Sequence, residues 1–67
     1  METNKIVKMT LAETGISLAQ LGEAYGVSKQ AIHQRLQKEQ PQEIQEEMRR
    51  VIITMAQEKI RRAEAIA

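Results

Sequence analysis

The sequence predicts an all-α protein in which three short helices are followed by one long one. Three observations carry this reading. Ser17 and Ser28 stand where helices would begin, Gly15 and Gly26 stand where helices would end, and residues 42–67 contain neither glycine nor proline. Serine accepts a hydrogen bond from the free amides of a helix start. Glycine enters the left-handed conformation that closes a helix, which costs a residue with a Cβ roughly 1–2 kcal/mol. An uninterrupted run of strong helix formers leaves one long helix as the simplest outcome for the last third of the chain. The chain thus divides into a compact unit, 1–40, and a helix, 41–67, that closes the core of that unit and is free to mediate dimerisation.

The first helix runs from a cap at Thr3 or Asn4 to about Thr14, with Ile6, Val7, Thr10, Leu11 and Met9 as its inward candidates. It is too short to be stable alone. Gly15 ends it, and Ile16, just before the next cap, can staple the second helix. Ser17 with Gln20 forms an S-x-x-Q capping box, and Leu18, Leu21 and Tyr25 follow at i, i+3 and i+7 on one face. Gly26 turns the chain, Val27 is expected to tuck into the core, and Ser28 caps a third helix whose inward positions are Ala31, Ile32 and Leu36. Gly22, one position after the inward Leu21, lets the third helix cross close to the second. The polar stretch from Gln37 to Gln40 leads to Pro41, which marks the first turn of the last helix.

That last helix, about 26 residues and about 39 Å long, has two apolar stripes. Ile44, Met48, Val51 and Met55 lie at 4-3-4 spacing and can close the chain's own core. Ile53, Ala56, Ile60, Ala63 and Ala67 lie at 3-4-3-4 spacing on a second face, left over for a partner and best matched by a second copy of the chain. Glutamates gather in its first turns and arginines near its end, as the helix dipole favours.

The outer face of the third helix carries the functional information. Gln30, His33, Gln34 and Gln37 fall within about 100° of arc and all are hydrogen-bonding side chains. Glutamine can pair bidentately with the N6 and N7 edge of adenine, and Lys29 can reach guanine or a phosphate. Two helices crossing through a tight turn with such a face look like a DNA-reading helix-turn-helix, giving a three-helix helix-turn-helix unit followed by one long C-terminal helix. Over roughly Lys5 to Lys38 the chain resembles the lambda repressor-like (Cro/CI, XRE) family. The resemblance is carried by the small residue Gly22, the turn Gly26-Val27-Ser28 and the inward Ile32. It implies that Lys29, Gln30 and Gln34 are principal base contacts, with His33 nearby. The chain departs from the family in having Gly22 where alanine is usual and Arg35 where an apolar residue is usual, with Leu36 taking over that packing. It also has no glycine after Gly26, whereas the family closes with two short helices around a glycine-containing loop. Expected phosphate contacts are Lys5, Lys8, Lys29 and Lys38, the helix start at Ser17 and Leu18, and the Ser28 hydroxyl.

Composition narrows the function classes. Ten Lys and Arg against nine Asp and Glu give a net charge of +1, which argues against a nonspecific coat driven by charge. With no cysteine and one histidine there is no disulfide and no self-sufficient zinc site. One tyrosine and no phenylalanine or tryptophan argue against modules that stack single-stranded bases. No catalytic constellation is visible, so neither an enzyme nor a cofactor or small-molecule ligand is expected. The apolar runs are too short for a membrane helix and the N-terminal residues lack the apolar core of a secretory signal, so a cytoplasmic protein is expected. A chain of 67 residues has a small core, and oligomerisation is the remaining common source of stability. The sequence thus points to a sequence-specific double-stranded DNA-binding protein, a small homodimeric transcriptional repressor of the phage or plasmid kind. It would occlude a promoter at an inverted-repeat operator. The alternative is an interaction or assembly protein, of antitoxin or packaging-subunit type, whose C-terminal helix binds another protein.

Overall fold

Local chemistry sets the ends of the short helices. The computed structural model describes residues 3–66 and contains α1 (Lys5–Thr14), α2 (Leu18–Ala24), α3 (Lys29–Arg35) and α4 (Gln42–Ile66), with no strand among the described residues. At α2 the Ser17 hydroxyl accepts from the Gln20 amide at 3.1 Å while Gln20 Oε1 accepts from the Ser17 amide at 2.8 Å, a complete capping box. At α3 the Ser28 hydroxyl accepts from the Ala31 amide at 3.1 Å. Gly15 and Gly26 take φ of 72° and 70°, the left-handed closures expected of them. Pro41 lies just outside α4 rather than in its first turn, and its carbonyl accepts from the Ile44 and Gln45 amides at 3.0 Å each.

The start of α1 departs from expectation. Asn4 holds the cap position in the left-handed region, φ 56°, and its side chain does not cap the helix. Asparagine tolerates this conformation better than most residues. The amides at the helix start are instead bonded from far away in sequence: Asn4 N–H donates to Glu39 Oε2 at 2.8 Å and Ile6 N–H donates to Gln45 Oε1 at 3.3 Å.

Val7, Ile16, Leu21, Ile32, Leu36, Met48 and Ile52 form the core. α1 packs chiefly on α4 and α2 chiefly on α3, with α4 also reaching α2. The first half of α4 is therefore the main support of α1 rather than a lid on a finished three-helix unit. Its buried line is Gln45, Met48 and Ile52, with Ile44, Val51 and Met55 flanking it. Ile52, absent from both expected stripes, is fully buried, and Gln45 is hidden because its polar atoms are bonded, which an apolar pattern cannot reveal.

Other expected positions shift for identifiable reasons. Met9 is 49% exposed, since it projects from α1 about 200° around from Val7. Val27 is 38% exposed because the turn presents its backbone to the interior: Val27 N–H donates to the Gly22 carbonyl at 2.9 Å. Ala31 is exposed, leaving Ile32 and Leu36 as the inward residues at that end of the chain. In the leftover stripe, Ala56 packs against the core, Ile53 is half-buried, and Ile60 and Ala63 are exposed. Ala67 lies outside the described residues. Residues 57–65 are exposed throughout, so the second half of α4 projects past the core. At 1.5 Å per residue α4 spans about 37 Å, close to the 40 Å long dimension of the molecule. Among the described residues no helix is long and apolar enough to cross a membrane.

Candidate nucleic-acid interface

The outer face of α3 is set by how its inner side is held. Only residues 25–28 separate α2 from α3. The two helices meet at Gly22, where a Cβ would lie 2.9 Å from the Val27 carbonyl oxygen, 3.2 Å from that of Ser28 and 3.3 Å from Ile32 Cγ2. Ile32 is fully buried at this contact, which turns the opposite side of α3 outward. Lys29, Gln30, His33, Gln34 and Gln37 are all exposed and together line one shallow concave surface. The residues expected to contact bases are thus brought together. Gln37 arrives there differently from the helical spacing assumed for it, because α3 stops at Arg35 and Gln37 sits in the following turn. Its amide donates to the Gln34 carbonyl at 3.2 Å, and its Nε2 stands 3.3 Å from His33 Nε2.

Beside this face lies a second cleft with an apolar floor that includes Leu11 and Leu36, rimmed by Lys8, Leu18, His33 and Gln37. It places Lys8 and Leu18 next to the same His33 and Gln37 that border the first surface. Lys5 and Lys38 are exposed but line neither concavity. At Ser17 the expected contact narrows, since the backbone amide is already bonded to Gln20 and only the hydroxyl proton remains to be donated. Ser28 likewise keeps its hydroxyl proton while its oxygen caps α3. No acidic residue occurs between Glu23 and Glu39, so the segment that builds this face carries Lys29, Arg35 and Lys38 unopposed along the chain. Lys29 is the one charged side chain on the α3 face itself, and Lys8 the one on the adjoining cleft.

Comparison with known protein families, with curated proteins and with solved structures returned no match to this chain. Its function is read from its own residues.

A polar cluster behind α3 escaped the sequence. Asn4, 0% exposed, donates through Nδ2 to the Leu36 carbonyl at 2.7 Å and the Lys38 carbonyl at 3.0 Å, and accepts at Oδ1 from the Gln40 amide at 2.7 Å. Gln40 Nε2 donates to the Arg35 and Lys38 carbonyls at 2.8 and 3.1 Å. Gln45 Nε2 donates to Glu39 Oε1 at 2.9 Å and to the Gln40 carbonyl at 2.8 Å. The chain leaving α3 is thereby tied to the starts of both α1 and α4. The one hint in the sequence is the density of amide side chains around Pro41. Nothing in its periodicity connects them to Asn4.

Tyr25, at the end of α2, keeps a buried hydroxyl with no hydrogen-bond partner among the described residues. Burial pushes its pKa above the ordinary tyrosine value, the Glu47 carboxylate pushes the same way, and Arg35 opposes both.

Proposed function

We propose that this chain is a sequence-specific double-stranded DNA-binding protein, a small homodimeric cytoplasmic repressor that acts by promoter occlusion. In this reading α2 and α3 are a helix-turn-helix and α3 enters the major groove. The observation that carries it is the outer face of α3. Its five polar side chains, four on the helix and Gln37 in the turn after it, include no acidic group and are exposed opposite the packing of Ile32 against Gly22. Gln30 and Gln34 offer the bidentate amide geometry that matches adenine, Lys29 matches guanine O6 and N7, and His33 and Gln37 border the same groove edge. Lys8, beside His33 and Gln37, is the best-placed phosphate contact, and Lys5, Lys38, the Ser17 and Ser28 hydroxyls and the Leu18 amide are the further candidates.

The exposed part of the leftover stripe, with Ile60 at 59% exposure, supports pairing with a second copy. A two-fold pair would present two recognition helices to half-sites one turn, about 34 Å, apart. The operator is then an inverted repeat. Selection of bound duplexes from a random DNA pool tests this directly, with enrichment of an inverted repeat as the expected result. Failure to retain any duplex at low salt would remove the reading.

The exposure of residues 57–65 also favours a second reading, in which α4 docks on a different protein, as in an antitoxin or a packaging subunit. Sedimentation of the pure chain separates the two, because a stable monomer at micromolar concentration supports only the second.

A further inference from the structure

We propose that Asn4 is a positioning residue for DNA binding: it fixes the backbone of segment 36–40, which presents Gln37 on the concave α3 face and leaves Lys38, the next residue, exposed to meet a phosphate. The inference rests on the DNA-binding reading above. Three side-chain bonds from a fully buried asparagine to Leu36, Lys38 and Gln40 exceed what is needed to start α1, whose cap that side chain does not provide. Both bonds at Nδ2 fall on carbonyls that flank Gln37, one residue to either side. Asn4 also adopts a left-handed backbone that few residues accept, and in that conformation its amide meets the Glu39 carboxylate at 2.8 Å. Glu39 in turn bonds Gln45 of α4 at 2.9 Å, so the segment is held against two helices at once.

The chain leaving a short helix is ordinarily mobile, and a lysine on mobile backbone loses entropy when it meets a phosphate. Fixing the backbone beforehand removes that loss, as preorganisation does generally. Asn4 touches no DNA in this account. It acts through Lys38 and Gln37, which are exposed and aim outward from the held segment.

The test is a double-mutant cycle on duplex binding, measured by fluorescence anisotropy on a random-sequence duplex across a range of salt. Asn4→Gly keeps the left-handed backbone accessible and deletes the side chain. It is expected to weaken binding about three- to tenfold and to lower the salt slope by about 0.9, the value of one phosphate contact. In a Lys38→Ala background the same change should have almost no further effect. Equal losses in both backgrounds would overturn the proposal, because a general loss of fold does not depend on Lys38. Should Asn4→Gly fail to fold, Gln40→Ala loosens the same segment from a half-exposed position through its bonds to Arg35 and Lys38, and the same cycle applies. Hydrogen exchange supplies a readout that needs no DNA: the Gln40 amide, bonded to Asn4 Oδ1, should exchange at least about tenfold faster in Asn4→Gly, a larger change than at the core amide of Ile52, which reports global stability. Unchanged exchange at Gln40 would overturn the clamp itself. If the clamp is confirmed by exchange but the wild-type chain binds no duplex, the DNA reading falls and this proposal falls with it.

Discussion

Replacing Gly22 with alanine sets two calculable effects against each other. Alanine inside α2 gains about 1 kcal/mol of helix propensity over glycine. Against this, the new Cβ would sit 2.9 Å from the Val27 carbonyl oxygen and 3.2 Å from that of Ser28, both backbone atoms that no rotamer change can move aside. Ile32 Cγ2, at 3.3 Å, belongs to a fully buried side chain with no room to retreat. Relieving these contacts requires α3 to shift away from α2, and overpacking of this kind costs about 1–3 kcal/mol. The net expectation is a loss of up to about 2 kcal/mol, which for a domain of this size lowers Tm by about 4–8 °C per kcal/mol. Thermal melts followed by circular dichroism at 222 nm measure it, with the exposed neighbour Glu23→Ala as a control expected within about 0.5 kcal/mol of wild type. A rise in Tm would mean that propensity wins and that the helices are not held apart by this contact, and the account of how α3 is aimed would fail.

Three further outcomes follow from named groups. Gln30→Ala should cost about 1–3 kcal/mol on the selected site and little on random duplex, and equal losses on both would remove it from the base-reading set. Tyr25→Phe deletes a buried hydroxyl that lacks a partner, so stability at neutral pH should hold or rise by up to about 1 kcal/mol. Because burial raises the pKa of Tyr25 in the folded state, its contribution is intact below the unfolded value of about 10 and is lost as pH climbs towards the folded value; the phenylalanine variant should show a shallower alkaline decline in urea melts, and identical slopes would contradict the assignment. Ile60→Glu should leave the helical circular dichroism unchanged, abolish the homodimer and cut affinity for a full inverted repeat while half-sites still bind weakly. Sedimentation of this variant as an intact dimer would place the seam elsewhere on α4.

Local signals were legible because they act over three or four residues. The Ser17 and Ser28 caps, the Gly15 and Gly26 closures and the single long helix all depend on short-range backbone bonding, and each is where the residue types place it. The exposure of Lys29, Gln30, His33 and Gln34 was legible for the same reason, since Ile32 fixes which side of a seven-residue helix faces in, whereas Ala31 was expected inward and Gln37 was expected on the helix. What the sequence concealed depends on pairing at long range. Asn4 reads as an ordinary cap, yet its partners lie 32 to 36 residues away, and no periodicity encodes them. Gln45 reads as surface and is 5% exposed, because hydrogen bonds to Glu39, Gln40 and Ile6 offset the loss of water. Once Gln45 is allowed inside, the buried line of α4 moves by one residue and takes in Ile52, which neither apolar stripe had claimed.

The same shift changes what α4 means for the rest of the chain. A ten-residue α1 cannot bury its apolar face on two seven-residue helices that already pack on each other, so the first half of α4 must supply that surface. The boundary drawn at Pro41 is therefore a boundary of chain direction and not of packing. Beyond Ala56 the situation reverses, since residues 57–65 are exposed throughout and a segment of that length is not helical by itself in water. It stays helical by propagation from the packed half, and Ile60 at 59% exposure is apolar surface that no part of this core explains. A face of that kind gains stability only by being covered. With one end of α4 fixed through Gln45 to the segment that carries Lys38, whatever covers the other end also sets where that segment, and the α3 face before it, is carried.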